Sequence, residues 1–219
     1  MKDYAGNSLP AIASTSARIF DTYVDDTILP VLDSFDLDMT EEIITFHFSE
    51  SVRASNIDPT SVTLMARATT LDGNFFTLTG GSVLDGDGSD IRLQLSASDV
   101  FSMKNSSGLV RNSASSFLMF TSSFVHDTSN NAVVAVVDTQ AQSVKNFVTD
   151  NTPPVVNSID VDVNAKTVTF HLSELALVES VNARGIKFQD AVISPNKSYT
   201  LTSETVTNTE LLFTDSVTL

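Results

Sequence analysis

Apolar and polar residues alternate along much of the chain with the two-residue period of strands rather than the 3.6-residue period of helices. Phe35, Leu37 and Met39 are interleaved with Asp36 and Asp38; Ile44, Phe46 and Phe48 are interleaved with Thr45 and His47. Each run predicts a strand with one buried face and one wet face. Thr40-Glu41-Glu42 between them is a short turn, so the pair reads as an antiparallel hairpin, and Asn164-Ala165-Lys166 repeats that turn later. Further strands are predicted over 62–65, 75–79, 91–95, 117–121 and 132–136. Asp72-Gly73-Asn74 and Asp85-Gly86-Asp87-Gly88 supply turn chemistry between them. Ser98 is placed to cap a single helical turn through Met103, and the Ser- and Asn-rich stretch 105–116 reads as a loop. Seven or eight short strands in about 120 residues is the pattern of a two-sheet sandwich.

The pattern repeats. An offset of 124 residues carries Asp3 onto Asp127 and aligns 3–50 with 127–174 without a gap. Asn7, Asp26, Pro30, Ser34, Asp36 and Asp38 fall on Asn131, Asp150, Pro154, Ser158, Asp160 and Asp162. Thr45-Phe46-His47 with Ser49-Glu50 falls on Thr169-Phe170-His171 with Ser173-Glu174. In all 17 of 48 positions are identical, where chance gives roughly three. With one small gap, Phe76-Thr77-Leu78-Thr79 meets Tyr199-Thr200-Leu201-Thr202. Residues 1–28 are therefore expected to be the C-terminal strands of a preceding unit. Residues 29–152 are expected to be a complete unit, and 153–219 the N-terminal part of the next. An array extending past both ends is the corresponding expectation.

Three short motifs recur in order. Phe48-Ser49-Glu50-Ser51-Val52 and Leu172-Ser173-Glu174 form a strand end. Val125-His126-Asp127-Thr128-Ser129-Asn130-Asn131 and Asp3-Tyr4-Ala5-Gly6-Asn7 form a hairpin, and Asp150-Asn151-Thr152-Pro153-Pro154 a junction. Together they resemble the bacterial-type immunoglobulin-like (Big, or SbsA-like) tandem repeats of large surface and adhesin-like proteins, which also occur in algae and protists. The resemblance covers nearly the whole chain. It implies an all-β fold of tandem immunoglobulin-like antiparallel β-sandwich repeats with a period of about 124 residues. It further implies a structural or adhesive role at the cell surface or outside the cell. The period is longer than usual for that family, and 97–120 is where the excess falls.

Composition narrows the function. There are 27 acidic residues against 12 basic ones, which disfavours nucleic acid and anionic lipid as partners. Such a surface repels its neighbours or gathers cations. Of the acids, 20 are Asp, a turn-former poorly suited to helix or strand interiors. Cysteine is absent, so neither disulfides nor thiol chemistry enter. No run of 18 apolar residues predicts a membrane-spanning helix. The first residues lack the apolar stretch of a secretory signal; if the protein is secreted, that signal is expected upstream.

No catalytic pattern is present: there is no Cys nucleophile and no G-x-S-x-G elbow. His47 and His171 occupy one repeat position on the wet side of a strand, as surface positions do. Asp36 or Asp38 is expected near His47 across the hairpin, a pairing that could either hold a metal or only line a solvated face. Calcium, which takes six to eight oxygens, has two candidate sites. One is the loop with Asp85, Asp87 and Asp90, which is not matched at Asn208-Thr209-Glu210. The other is the recurring junction, where Asp26 with Glu50 and Asp150 with Glu174 are expected at one end of each unit. Such junction ions stiffen cadherin-like rods, although proline and solvated aspartate stiffen a linker without metal. Asn105 and Asn196 begin N-x-S/T sequons in predicted loops, where glycans could be carried.

The leading expectation is therefore a structural or adhesive segment of a large extracellular repeat protein, not an enzyme. It would act as a rigid spacer or filament-forming array whose partners are neighbouring repeats, further copies or other surface proteins. The alternatives are a calcium-stiffened rod and an accessory binding module of an extracellular enzyme. Tryptophan is absent and Phe and Tyr mostly fall at inward positions, which disfavours a carbohydrate-binding face.

Overall fold

A computed structural model describes residues 1–106, 108–202 and 213–219. It is an all-β chain with one α-helix. Alternation makes β1 (Leu32–Asp38) and β2 (Ile43–Val52) the predicted hairpin, with Phe35 opposite Phe46 and Leu37 opposite Ile44. The turn is locally determined. Oδ1 of Asp38 accepts the N–H groups of Thr40 and Glu41, both at 2.9 Å, and Glu42 takes a left-handed φ of 58°.

Then follow β3 (Val62–Met65), β4 (Phe75–Thr77), β5 (Ser82–Val83), β6 (Gly88–Gln94), α1 (Ala97–Asn105), β7 (Phe117–Phe120), β8 (Gln142–Ser143) and β9 (Asn146–Val148). One sheet has the order β5-β6-β2-β1-β9, the other β4-β3-β7-β8. All pairings are antiparallel except β1 with β9, which run parallel. The inner faces of both sheets contribute to one buried cluster that includes Phe35, Leu37, Phe46, Leu64, Ile91, Leu118 and Phe124. Phe124 is wedged between the sheets, its ring centroid 4.8 Å from Phe46 and 4.9 Å from Phe120. Each such side chain contributes roughly 2–3 kcal/mol by leaving water.

Three local expectations are corrected. The helix is not a single turn capped by Ser98. It runs nine residues from Ala97 and is capped by Ser96, whose Oγ accepts the Asp99 N–H at 3.2 Å. Asp99 then holds the helix to the end of the β4 segment, because its buried carboxylate accepts the N–H and hydroxyl of Thr79 at 2.9 and 2.5 Å. The stretch 132–136 is not a strand. It is joined by isolated bridges, Ala132 to His126 and Val136 to Phe120. Strands β5, β8 and β9 were not among the predicted ones.

The second half carries β10 (Val156–Asp162), β11 (Thr167–Leu177), β12 (Lys187–Gln189), β13 (Ser198–Thr200) and β14 (Phe213–Thr218). They form a sheet β10-β11-β14 and a pair β12-β13. Residues 1–28 contain no strand; they show one bridge, Lys2 to Ser8, and a short 3-10 turn over Ser14–Ser16. All three tyrosines, Tyr4, Tyr23 and Tyr199, are exposed, and so are Phe20 and Phe75. The inward placement of aromatics therefore holds for Phe35, Phe46, Phe48, Phe120 and Phe124, which are buried, and not for these. Among the described residues no helix is long and apolar enough to cross a membrane.

Candidate functional site

The junction motifs converge where a segment of linker enters each two-sheet unit. At the first junction, Val31 N–H donates to Ser49 Oγ at 3.0 Å, and Ser49 N–H donates back to the Val31 carbonyl at 2.9 Å. At the second, Val155 and Ser173 make the same two bonds at 2.9 and 2.8 Å. The Ser of the F-S-E strand end is therefore the clamp for the chain entering the unit. It places the following Glu, at 50 and at 174, beside the junction.

Asp127 reaches the first junction from the 127–131 hairpin. Its Oδ1 accepts the N–H groups of Ser129 and Asn131 at 2.8 and 2.7 Å, and its Oδ2 accepts the Asn131 side-chain amide at 2.8 Å. Asn131 also donates to the Asp26 carbonyl at 3.1 Å, which draws the linker onto the hairpin. Asp26, Glu50 and Asp127 thus each present a carboxylate oxygen within 4.8 Å of the others.

The charges respond to this crowding. Burial raises the Asp127 carboxyl, but the hydrogen bonds from Asn131, Ser129 and Asn130 outweigh it, and its pKa lies below the ordinary value. Glu50 receives no such donors. Burial, then the charges of Asp26 and Asp127, push its pKa up. Its Oε1 is buried without a hydrogen-bond donor, as is Oε1 of Glu174. A buried acceptor without a donor is costly, and a cation is the partner that three converging carboxylates would favour.

At the second junction a cation is already supplied by the protein. Lys104, on α1, donates to Asp150 at 2.7 Å and stands 3.9 Å from Glu42. Burial raises the Asp150 carboxyl, and Lys104 and the Thr152 N–H bring its pKa below the ordinary value. Glu174 is raised by burial and by Asp150, with Lys104 opposing. Thus the predicted pairs Asp26–Glu50 and Asp150–Glu174 are each brought together, one with Asp127 and one with Lys104. Neither third member was foreseen. Asp127 could have been found from the repeated D-x-x-x-N hairpin, whereas nothing local marks Lys104.

The loop carboxylates do not converge. Asp85 is engaged by Arg92, whose Nη2 donates at 2.8 Å; Asp87 accepts the Ala54 N–H at 2.9 Å; Asp90 pairs with His47. The residues Asn208-Thr209-Glu210 lie outside the described residues. His47 meets Asp36 at 3.3 Å, as expected across the hairpin, and also Asp90 at 2.7 Å; His171 meets Asp160 at 2.8 Å. Asp38, the alternative partner, is instead used in its own turn. Asn105 is the last residue of α1 and donates to the Phe101 carbonyl at 3.0 Å, so that sequon does not begin in a loop; its Ser107 lies outside the described residues. Asn196 is exposed between β12 and β13.

No family model matches this chain, and neither a curated protein nor a solved structure matches it. The functional reading therefore rests on the chain's own sequence and geometry.

Proposed function

We propose that this chain is a segment of a tandem array of immunoglobulin-like β-sandwich repeats, serving outside the cell as a structural spacer or adhesive rod. The observation that carries this reading is the register shared by two distant hairpins. Leu32 faces Phe48 and Phe35 faces Phe46, as Val156 faces Leu172 and Ile159 faces Phe170, with the same irregularity after the first pair. The likeness extends beyond the hairpin. Leu64 pairs with Phe76 and Phe188 with Tyr199. Asp58 and Asn182, at one repeat position, each cap a 3-10 turn, accepting the N–H of Thr60 and Arg184. A shared junction clamp fixes how the chain enters each unit, which is what a spacer requires of a linker.

Small-angle scattering of the 219-residue chain tests the spacer. A compact chain of this length has a radius of gyration of about 17 Å. A rod gives a clearly larger value with a two-unit distance distribution, and the compact value would sink the idea. Antibody labelling of intact cells tests the location.

The cluster Asp26–Glu50–Asp127 favours a second reading, in which a divalent cation, best calcium, stiffens the first junction. The donors are all oxygens, and the orphan Oε1 of Glu50 suits a hard cation. Calorimetry with calcium and with chelator tests it: the melting temperature rises with calcium. Glu50→Gln abolishes that rise. Without metal, it raises the melting temperature at neutral pH, because Glu50 carries a raised pKa and its ionised form is disfavoured in the folded state. A melting temperature indifferent to calcium rules this reading out and leaves the spacer standing.

A further inference from the structure

α1 shows two faces. Val100 and Met103, at i and i+3, belong to the buried cluster of their own unit. Asp99 ties the first turn to Thr79, and Arg111 donates to the Lys104 carbonyl in the last turn. The helix is therefore held at both ends by the unit that contains it. Ala97, Phe101 and Lys104, at i, i+4 and i+7, form the other face. That face lines a cleft whose far wall includes Leu172, Leu175 and Asp215 of β11 and β14.

The far wall belongs to a part of the second unit that is built like the first. Val217 of β14 stands opposite Phe170 of β11, as Ile91 of β6 stands opposite Phe46 of β2. α1 lies alongside β14. Between the pairs His171–Ser216 and Ala176–Thr214, residues 172–175 face Asp215 alone. In the same way residues 48–51 face Ser89 alone, between His47–Asp90 and Val52–Gly88. Such a bulge bends its strand out of the ladder, and in β11 it carries 172–175 toward the helix.

Leu175 uses that bulge. It lines the cleft shared with Phe101 and Lys104, and also a second cleft shared with Met39, Val110 and Phe147. It therefore stands between the helix and the end of the first sandwich. The 124-residue offset puts Ser51 at the same place in the first bulge, so the bulge itself does not demand a leucine. Lys104 supplies the charge. Its Nζ lies 2.7 Å from Asp150 in the linker and 3.9 Å from Glu42 in the β1–β2 turn, and Glu174 and Asp215 line the same cleft. Its side chain is 13% exposed, and a partly buried pair is screened less than one in open solvent. One ammonium thus sits among carboxylates from its own unit, the linker and the next unit.

We propose that α1 is an inter-unit latch, in which Leu175 and Lys104 fix the angle between the 29–152 unit and the β10-β11-β14 sheet. This rests on the reading of the chain as consecutive units and names the element that makes the spacer stiff. Units joined by a short linker move relative to one another unless their contact restrains them. The latch also gives the extra length of the repeat, 97–120, a role that the two sheets do not require of it.

The chain contains no cysteine, so spin labels can be placed cleanly. Ser82→Cys on β5 and Ser158→Cys on β10, both exposed, each carry one label in the full chain. Pulsed dipolar spectroscopy of this labelled parent gives one narrow distance distribution. Lys104→Met keeps the stem and removes the charge, and Leu175→Ser installs the residue of the first bulge; each roughly doubles the width of the distribution. Lys145→Met, at an exposed lysine close to the same linker, leaves it unchanged. If Lys104→Met loses the β-sheet circular dichroism of the parent, Leu175→Ser decides alone, because serine already occupies that bulge position at Ser51. A broad distribution in the parent overturns the latch. So does a folded Lys104→Met or Leu175→Ser chain as narrow as the parent, which would leave the linker prolines to set the angle. A rod-like scattering curve with a broad parent distribution removes the latch and leaves the spacer standing. A compact curve sinks the spacer, while the label widths still decide the latch.

Discussion

Two hairpins of one register have different fates. In β1–β2, Phe35 and Leu37 are 0% and 1% exposed; at the same positions of β10–β11, Ile159 and Val161 are 51% and 58% exposed. Turn chemistry does not separate them. Asp162 Oδ1 accepts the N–H groups of Asn164 and Ala165, both at 2.8 Å, and Lys166 has a φ of 60°, as Asp38 and Glu42 arrange in the first. The difference lies in what covers them. β1–β2 is packed by β7, Phe124, α1 and β9, which come from 97–148. Local sequence is therefore sufficient for the hairpin and its register, and distant sequence is what turns an apolar face into a core.

The largest expected effect breaks this comparison at its centre. Phe35→Ala removes a fully buried ring and should cost about 3–5 kcal/mol in urea unfolding followed by circular dichroism. Ile159→Ala, at the same repeat position, should cost about 1 kcal/mol, because only about half of its surface leaves water on folding. Similar losses at both sites would show that the second hairpin is buried in solution, as it would be on a partner.

That contrast explains what was legible beforehand. Two-residue alternation marked Phe35–Met39 and Ile44–Phe48, because a strand with one wet face writes its geometry into its own sequence. The turn at Thr40–Glu42 was equally local. The repeat located both junctions and paired Asp26 with Glu50 and Asp150 with Glu174. What was missed depends on distant partners. β5, β8 and β9 are two, two and three residues long, too short to show a period, and exist because β6, β7 and β1 offer edges. The stretch 132–136 is apolar throughout, as a buried strand would be, but meets its neighbours only at single bridges. Lys104 falls just past the helical turn predicted through Met103, with nothing local to say that it faces the next linker. Asp127 joined the cluster through a hairpin whose fold was readable but whose destination was not.

A middle-sized effect separates the two copies of that hairpin. Asp127 is 1% exposed and satisfied by Ser129 and Asn131, whereas Asp3 makes the equivalent bonds to Asn7 in full solvent. Asp127→Ala should cost about 1–3 kcal/mol by leaving buried donors unpaired, while Asp3→Ala should leave the unfolding midpoint where it is. The folded pKa of Asp127 is depressed. Its contribution is therefore present above the unfolded value near 3.8 and is lost as pH falls through the lower folded value. The acid limb of the stability curve should flatten in Asp127→Ala, and an unchanged limb would count against the assigned hydrogen bonds.

The smallest effect concerns the histidines on the wet faces. His47 is flanked on both sides, by Asp90 at 2.7 Å and Asp36 at 3.3 Å, whereas β14 places Ser216 opposite His171, where β6 places Asp90 opposite His47. The hydrogen bond that His47 donates to Asp90, opposed by burial and then reinforced by Asp36, raises the His47 pKa above 6.5. A raised folded pKa contributes stability that is complete below the unfolded value of 6.5 and disappears as pH rises through the folded value. The groups are partly solvated, so solvent screening holds the contribution to roughly 0.5 kcal/mol or less. Proton NMR of the imidazole should place the His47 midpoint above 6.5, and Asp90→Asn should move it down. A midpoint that ignores Asp90→Asn would mean that β6 does not hold its aspartate against β2, and the pairing of β2 with β6 inside the five-stranded sheet would have to be drawn looser at that end.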